Sequence, residues 1–411
     1  MKKIIVVGAG PAGLMAAIRA SQLGCRVTLI EKNASAGRKL LLSGKGRCNL
    51  TNACTLDCFL ERFSHGQFLR DAFRTFFNKQ LMAFFEERGL KLKVERQERV
   101  FPQSDRSAAV LEVLLKELKG KADFFFKTGL KDVVAEGGRV KGVRLGDGRE
   151  LEADAVILAT GGVSYAFTGS TGEGLKIAGK LGHTVVPSKP GLVPLLVKKD
   201  FPLPEGLALK NIRLTFISGK KDLETDIGEM LFTADGISGP LVLSWSGQVL
   251  DLLAKGPVQA SVDLKPGLTE EQIDSRMLKD FKLNPKKNLG NLLKEYLPNR
   301  MIDVFIRRSG VPCERKANQV SQAERKKLVS LFKDFRMDIT GSLPIEEAMV
   351  TRGGVSLKEI DPRTMGSRLV KGLYFCGEMI DVDADTGGFN LQAAFSTGYL
   401  AGQSACTFPT S

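Results

Sequence analysis

Residues Lys3 to Gly13 form a short apolar run, Lys-Ile-Ile-Val-Val, that breaks into a glycine-rich turn, Gly8-Ala-Gly-Pro-Ala-Gly13. An Ala-rich helical stretch follows from Leu14 to Leu23. A second apolar run, Arg26 to Ile30, then stops at an acid, Glu31. This order of strand, turn, helix, strand and acid fixes much of what the first domain can be. Gly8 permits the tight turn, Gly10 lets backbone approach a diphosphate, and Gly13 lets the helix lie close to the strand; Ala12, within the same motif, is counted with them as a cofactor-binding candidate. The diphosphate then sits at the positive end of the helix. Glu31 is placed to accept hydrogen bonds from both ribose hydroxyls. A lone glycine triplet is weak evidence, but this one has its strand, its helix and its acid. The chain is therefore expected to bind a dinucleotide, and the motif alone does not choose between FAD and NAD.

At 411 residues the chain is expected to contain two or three domains. No apolar run is long enough to span a bilayer, so no membrane role is expected. The seven cysteines form no CxxC pair and their number is odd, which argues against a disulfide framework and for a reducing cytoplasm. With only two histidines and no second ligand pair beside Cys54 and Cys58, no metal site is expected. The formal charge of +14 is uneven: residues 282–336 carry 14 basic and 5 acidic residues, a net +9. Such a segment is either a solvated helical surface or a polyanion-binding face.

After Glu31 comes a loop with Lys32, Gly37, Arg38, Ser43, Gly44, Lys45, Gly46, Arg47, Cys48 and Asn49. It can lie against a planar cofactor and offer it backbone N–H groups and positive charge. Residues 67–90 are read as a helix with a phenylalanine core, and Ser104 as the cap of a helix running to about Lys119. Val140–Arg144 and Arg149–Leu151 read as a hairpin around Gly146-Asp-Gly148. Ala155–Ala159 is a buried strand that ends at Thr160-Gly161-Gly162, again a turn that admits a cofactor.

Residues 191–265 show short alternating runs that predict a small β-barrel, interrupted by Gly228–Pro240. Residues 269–333 read as helical, with Thr269 and Gln272 forming a capping box. The style of the first domain returns at Gly372–Glu378, a strand ending in a glycine and an acid, Gly377 and Glu378. Asp381-Val-Asp-Ala-Asp385-Thr386 leads to Gly387-Gly388-Phe389-Asn390 and a last helix. An acid after a terminal strand suits a polyhydroxyl chain, and a Gly-Gly-Phe-Asn turn at a helix start suits a partly anionic ring edge. A flavin has both features in its ribityl chain and its pyrimidine edge.

Together these segments resemble the HI0933-like flavoproteins, which belong to the two-dinucleotide-binding-domain (glutathione-reductase-like) superfamily. The resemblance covers essentially the whole chain. It implies an α/β fold: a Rossmann-like FAD domain from residues 1–190 and 345–411, a β-barrel-like insertion from 191–266 and 334–344, and a basic helical insertion from 267–333. Carried over by residue, it implies Glu31 at the adenosine ribose, and Ser43, Gly44, Cys48 and Asn49 near the isoalloxazine. Gly377 and Glu378 would hold the ribityl-phosphate region and Gly388 to Asn390 the pyrimidine edge. Thr160 and Gly161, with Lys32 and Arg38, complete the candidate cofactor contacts. Where the superfamily usually has Asp after the last strand's glycine, this chain has Glu378, whose longer arm alters that contact.

The resemblance implies one of several activities: reduction of a uridine in large-subunit ribosomal RNA to dihydrouridine, reduction of an enone in a steroid-like acid with NAD(P)H, or oxidation of aminoacetone. The first two share one chemistry, hydride transfer from reduced flavin and protonation of the neighbouring carbon. The basic segment favours ribosomal RNA as partner, with Arg325, Lys326 and Lys327 as docking cations and Lys45 and Arg47 at the mouth of the site. A flavin-dependent RNA methyltransferase is a third reading that no residue calls for. Cys48 is the candidate proton donor, on the argument that Lys45 and Arg47 lower its pKa; the competing reading is a small packing residue. His65 and His183 are read as structural. No second glycine fingerprint follows a strand, so NAD(P)H is expected at most as a transient electron donor.

Overall fold

The computed structural model describes residues 1–219 and 221–407. The chain divides into two compact units, Met1–Gly191 together with the segment from Ile345 onward, and Leu192–Pro344.

The first unit is built on a parallel sheet. Its strands are β1 (Lys3–Val7), β2 (Arg26–Ile30), β3 (Ala122–Phe125), β4 (Ala155–Leu158) and β5 (Leu373–Phe375), in the order β3-β2-β1-β4-β5. Val6 lies opposite Leu29 on one side and Ile157 on the other. Ile4 to Val7 and all of β4 are buried, as parallel strands covered on both faces must be. The helix α1 (Pro11–Gln22) follows β1, a short α2 (Arg38–Leu42) follows β2, and α3 (Phe389–Thr407) closes the unit. Gly398 and Gly402 of α3 lie directly on α1: a Cβ at either would come within 2.2 Å and 2.3 Å of the Ala12 and Ala16 carbonyl oxygens. Cys25 is paired with Cys406 (Cα–Cα 6.4 Å), a pairing the cysteine count did not anticipate.

Several local expectations are corrected. Residues 67–90 are not one helix but a 3-10 turn and two helices, Arg70–Thr75 and Asn78–Glu86, separated where Phe76 and Phe77 take extended backbone. Their phenylalanines do form core, with Phe73 and Phe85 among the largest fully buried side chains. The helix Ser107–Leu118 is capped at Arg106, not Ser104. The hairpin around Gly146–Gly148 is present, with Arg144 opposite Glu150.

In the second unit six strands close into an antiparallel ring: Ala208–Ile217, Gly228–Phe232, Gly236–Ser238, Leu195–Val197, Phe335–Ser342 and Val258–Asp263, the last pairing back to the first (Leu214 opposite Val262). Gly228–Pro240 therefore supplies two barrel strands and does not interrupt the barrel. Helices Glu270–Leu283, Asn299–Ser309 and Gln322–Lys333 share one apolar core with the strands, through Met277, Phe305 and Phe332 against Val262 and Phe335. Thr269 caps the first of these, accepting the Gln272 N–H at 3.3 Å while its own N–H donates to the Gln272 side chain at 2.9 Å. Among the described residues no helix is long and apolar enough to cross a membrane.

Candidate functional site

The turn between β1 and α1 is shaped by contact as well as by conformation. Gly8 has φ +103°, and a Cβ there would strike the Ala159 carbonyl oxygen at 2.5 Å; a Cβ on Gly13 would strike the Gly8 oxygen at 1.8 Å. Gly10 differs, since a Cβ there would meet nothing within 4 Å. Gly10 is also the N-cap of α1, and no side chain caps that helix. Open space thus faces a helix start with its N–H groups unclaimed by a cap, which suits a diphosphate. Glu31 is buried, accepting from the Ala9 N–H (2.9 Å), the Asn33 N–H (2.8 Å) and the Asn33 amide (2.8 Å). A carboxylate has about four acceptor sites, so about one remains for a ribose, fewer than the two hydroxyl contacts expected of it.

Around this turn the expected segments converge. Ala12 touches the last domain segment, since a Cβ on Gly377 would lie 2.9 Å from its own Cβ. Glu378 is joined to Lys39 of α2 at 2.5 Å, and Lys39 also donates to the Ser164 hydroxyl at 2.7 Å. Gly161 has φ +76° and sits beside both Ser170 and Glu378, while Thr160 donates to the Met379 sulfur (2.9 Å). Lys39 and Ser164 went unread in the sequence; a lysine one residue after a more conspicuous arginine carries no signal of its own. Arg38 is exposed and donates to Asn33 (2.8 Å), and Lys32 donates to Thr171 (2.6 Å).

The loop after α2 is backbone-strained. Gly44, Lys45, Gly46 and Cys48 all have φ between +57° and +83°, which is costly for the two that carry a Cβ. Ser43 closes this loop by donating to the Leu40 carbonyl (2.6 Å). With its amide oriented to suit its neighbours, Asn49 ties the loop to the start of α3, accepting the Gly388 N–H at 3.0 Å and donating to the Thr51 carbonyl at 3.2 Å. Asn52 donates to the Gly387 carbonyl (3.2 Å), and Thr51 to Gln392 (2.6 Å). Gly388, at φ +98°, could not carry a Cβ, which would lie 2.4 Å from the Thr51 oxygen. Asn390 is spent on its own loop, accepting the Ala384 N–H (3.0 Å) and donating to the Ala384 carbonyl (2.9 Å). The Phe389 ring packs edge-on to Phe59, with centroids 4.7 Å apart. What these two offer a ring edge is therefore backbone, not side chain. A cavity lined by Gly377, Glu378, Ile380, Val382, Asn390 and Ala393 lies beside this turn.

Three expectations about charge and acidity are overturned. Cys48 is fully buried, and burial pushes its thiol up to about 12, with the Ser43 hydrogen bond opposing only in part, so it is not an activated acid. Arg47 does not wait for phosphate: it is held by Glu95 (2.5 Å) and Asp105 (2.6 Å) and lies over the Phe101 ring. Arg325 is held in a two-pronged pair by Asp274 (2.7 and 3.2 Å), with its side chain 12% exposed. Lys45, Lys326 and Lys327 remain exposed. His183 is buried, bonded to Ser367 (2.7 Å), with its pKa lowered by burial.

The structure also gives weight to carboxylates that the sequence reading left without a role. Asp383 and Asp385 run alongside residues 62–64: the Ser64 N–H donates to the Asp383 carbonyl (3.0 Å) and the Asp385 N–H to the Arg62 carbonyl (3.1 Å). Ser64 also donates to the Asp383 carboxylate at 2.8 Å, and Arg62 lies 3.6 Å from that of Asp385. Burial raises both carboxyls, that of Asp385 to about 6, against the opposing charge of Arg62. Asp385 stands two residues before the Gly387-Gly388 turn.

The profile described as HI0933-like protein Rossmann domain matches residues 2–404. A 3-dehydro-bile acid delta(4,6)-reductase of Clostridium scindens is 32% identical over 100% of both chains. A ribosomal RNA dihydrouridine synthase of Escherichia coli is 30% identical over 97% of this chain and 96% of its own. Among solved structures, the 3-ketosteroid delta1-dehydrogenase of Sterolibacterium denitrificans superposes with a TM-score of 0.54 at 13% identity, covering 99% of this chain and all of that one, which is a likeness of fold.

Proposed function

The chain belongs to the HI0933-like family and is an FAD-dependent oxidoreductase; we propose that its substrate is a uridine of large-subunit ribosomal RNA, reduced at its ring double bond. The observation that carries the choice of substrate is the net +9 of residues 282–336. A small carboxylic acid has no use for a net +9 in 55 residues, whereas an RNA backbone is neutralised by such an excess of cations. The family resemblance to ribosomal RNA dihydrouridine synthases supports the same reading.

The residues fit FAD: an open glycine and an uncapped helix for its diphosphate, Glu31 for the adenosine ribose, Glu378 with Lys39 for the ribityl-phosphate stretch, and the backbone of Gly388 to Asn390 for the pyrimidine edge. Bound FAD, once reduced, supplies the hydride equivalent. The chain's part is to orient, to exclude water and to supply the proton. Asp385, two residues before the Gly387-Gly388 turn, is the group we assign to deliver that proton to the carbon next to the one that accepts hydride, and burial raises its carboxyl to about 6, so that a fraction stays protonated toward neutrality. Its side chain is 32% exposed and so is reprotonated from water. Cys48 is a packing residue beside the ring. NAD(P)H serves as a transient reductant.

The test is mass spectrometry of ribosomal RNA from cells lacking the gene, incubated with the purified protein, FAD and a reductant. The expected result is a gain of two hydrogens on one uridine. No gain on free RNA or on assembling particles, with turnover of a steroid-like enone instead, would replace this reading by the small-molecule one. That second reading is favoured by the full-length similarity to the bile-acid reductase.

A further inference from the structure

The cations of the second unit divide into those the fold has already used and those it has not. Arg325 is paired with Asp274, Arg315 with Glu324, Lys333 with Asp263 and Arg336 with Asp334. Arg308 donates to the Arg336 carbonyl and lies over Phe201, and Arg300 donates to the Glu205 carbonyl. These side chains are engaged within the unit.

Four of the cations that no carboxylate pairs with lie at one corner. The helix Glu270–Leu283 ends there, and Asn284–Asn288 turns back across the segment 315–318. Three backbone hydrogen bonds fix this arrangement: Leu289 N–H to the Arg315 carbonyl (2.8 Å), Ala317 N–H to Lys287 (3.0 Å) and Asn318 N–H to Pro285 (3.1 Å). Asn288 and Lys316 form a bridge. Lys282, Lys286 and Lys316 are exposed and Lys287 is half-buried, and among the described residues none of the four has an anionic partner. Leu283, at the same corner, is 68% exposed. Four lysines thus lie on neighbouring segments joined by ordered backbone, and among the described residues no carboxylate pairs with them.

We propose that this corner, Lys282, Lys286, Lys287 and Lys316, is the surface on which the ribosomal RNA substrate docks through its sugar-phosphate backbone. The inference rests on the RNA reading above and moves the docking site away from the helix face of Arg325, Lys326 and Lys327. Lysine is the suitable cation for such contact, since a compact charge on a flexible stem meets phosphate oxygens without reading base edges. The surface therefore contributes affinity and position, and the choice of uridine is left to the flavin-bearing unit.

The experiment uses the full-length, FAD-loaded protein and the variant K282Q/K286Q/K287Q/K316Q, with K326Q/K327Q for comparison. Binding to a ribosomal RNA fragment is measured across a salt series. The four-site variant is expected to bind at least roughly tenfold more weakly at low salt and to lose about 3 from the log–log salt slope, as removal of about four phosphate contacts requires. Its flavin content and thermal midpoint should match the wild type, since none of the four lysines holds another side chain. If the wild type binds RNA with a steep slope and the four-site variant keeps both affinity and slope, or if K326Q/K327Q carries the loss, the corner is not the docking surface, while the RNA reading stands. If the wild type does not bind RNA at all, both fall together.

Discussion

Proton delivery turns on which group beside the Gly387-Gly388 turn holds a proton at working pH. Asp385, raised to about 6 by burial, is partly protonated there. If it is the donor, the rate of double-bond reduction should fall as pH rises through about 6. Asp385→Asn should lower kcat by about a hundredfold and flatten that limb, since a positioned acid is worth roughly 10²–10⁴. The same group makes a stability prediction. Its folded pKa lies above its unfolded one, so its contribution is fully present below about 4 and is lost as pH rises through about 6. The wild type should therefore lose up to about 3 kcal/mol relative to Asp385→Asn between pH 4 and pH 7. Urea midpoints of the two proteins across that range check the sign. Cys48→Ala should keep flavin and turnover and cost about 1 kcal/mol, read as a lower midpoint; a large loss of turnover with flavin retained would restore the thiol as donor. Lys39→Met should weaken FAD binding to the flavin-free protein, measured by flavin fluorescence, because it leaves Glu378 without its cation.

At the scale of elements, the cofactor site depends on how closely α3 lies on α1. Gly398 and Gly402 allow that approach, and no Cβ fits at either without moving the backbone of α1. Gly398→Ala should force the helices apart at a cost of about 1–3 kcal/mol or more. If α1 holds the diphosphate as proposed, the variant should also lose FAD affinity, which substitution of a surface glycine such as Gly24 would not cause. Thermal midpoints with and without added FAD separate the two effects. The strand, turn and acid around Gly8 to Glu31 could be read from sequence because each needs a residue type at a fixed spacing. The glycines of α3 could not, since a glycine inside a helical pattern gives no sign of which neighbour requires it. Arg47 and Arg325 misled for the converse reason: a cation is visible in sequence, but the distant carboxylate that neutralises it, Asp105 or Asp274, is not. The raised pKa of Asp385 was hidden likewise, because burial and not residue type is what raises it.

At the scale of the whole chain, the charge is segregated: residues 337–411 carry 5 basic and 9 acidic residues, against the net +9 of residues 282–336. A surface of this kind acts on a polyanion and scarcely at all on a small acid, whose single charge releases few counterions. Salt therefore separates the two substrate classes without any mutation. Turnover of ribosomal RNA, measured as kcat/KM by mass spectrometry, should fall steeply between about 50 and 200 mM salt, by a factor of about 10³ if six phosphates are engaged. Reduction of a small enone by the same preparation should change little over that range, because its encounter with the flavin owes nothing to the basic segment. Parallel, shallow curves for both substrates would mean that the segment is only a solvated surface, and the enone would then be the better model of the natural substrate.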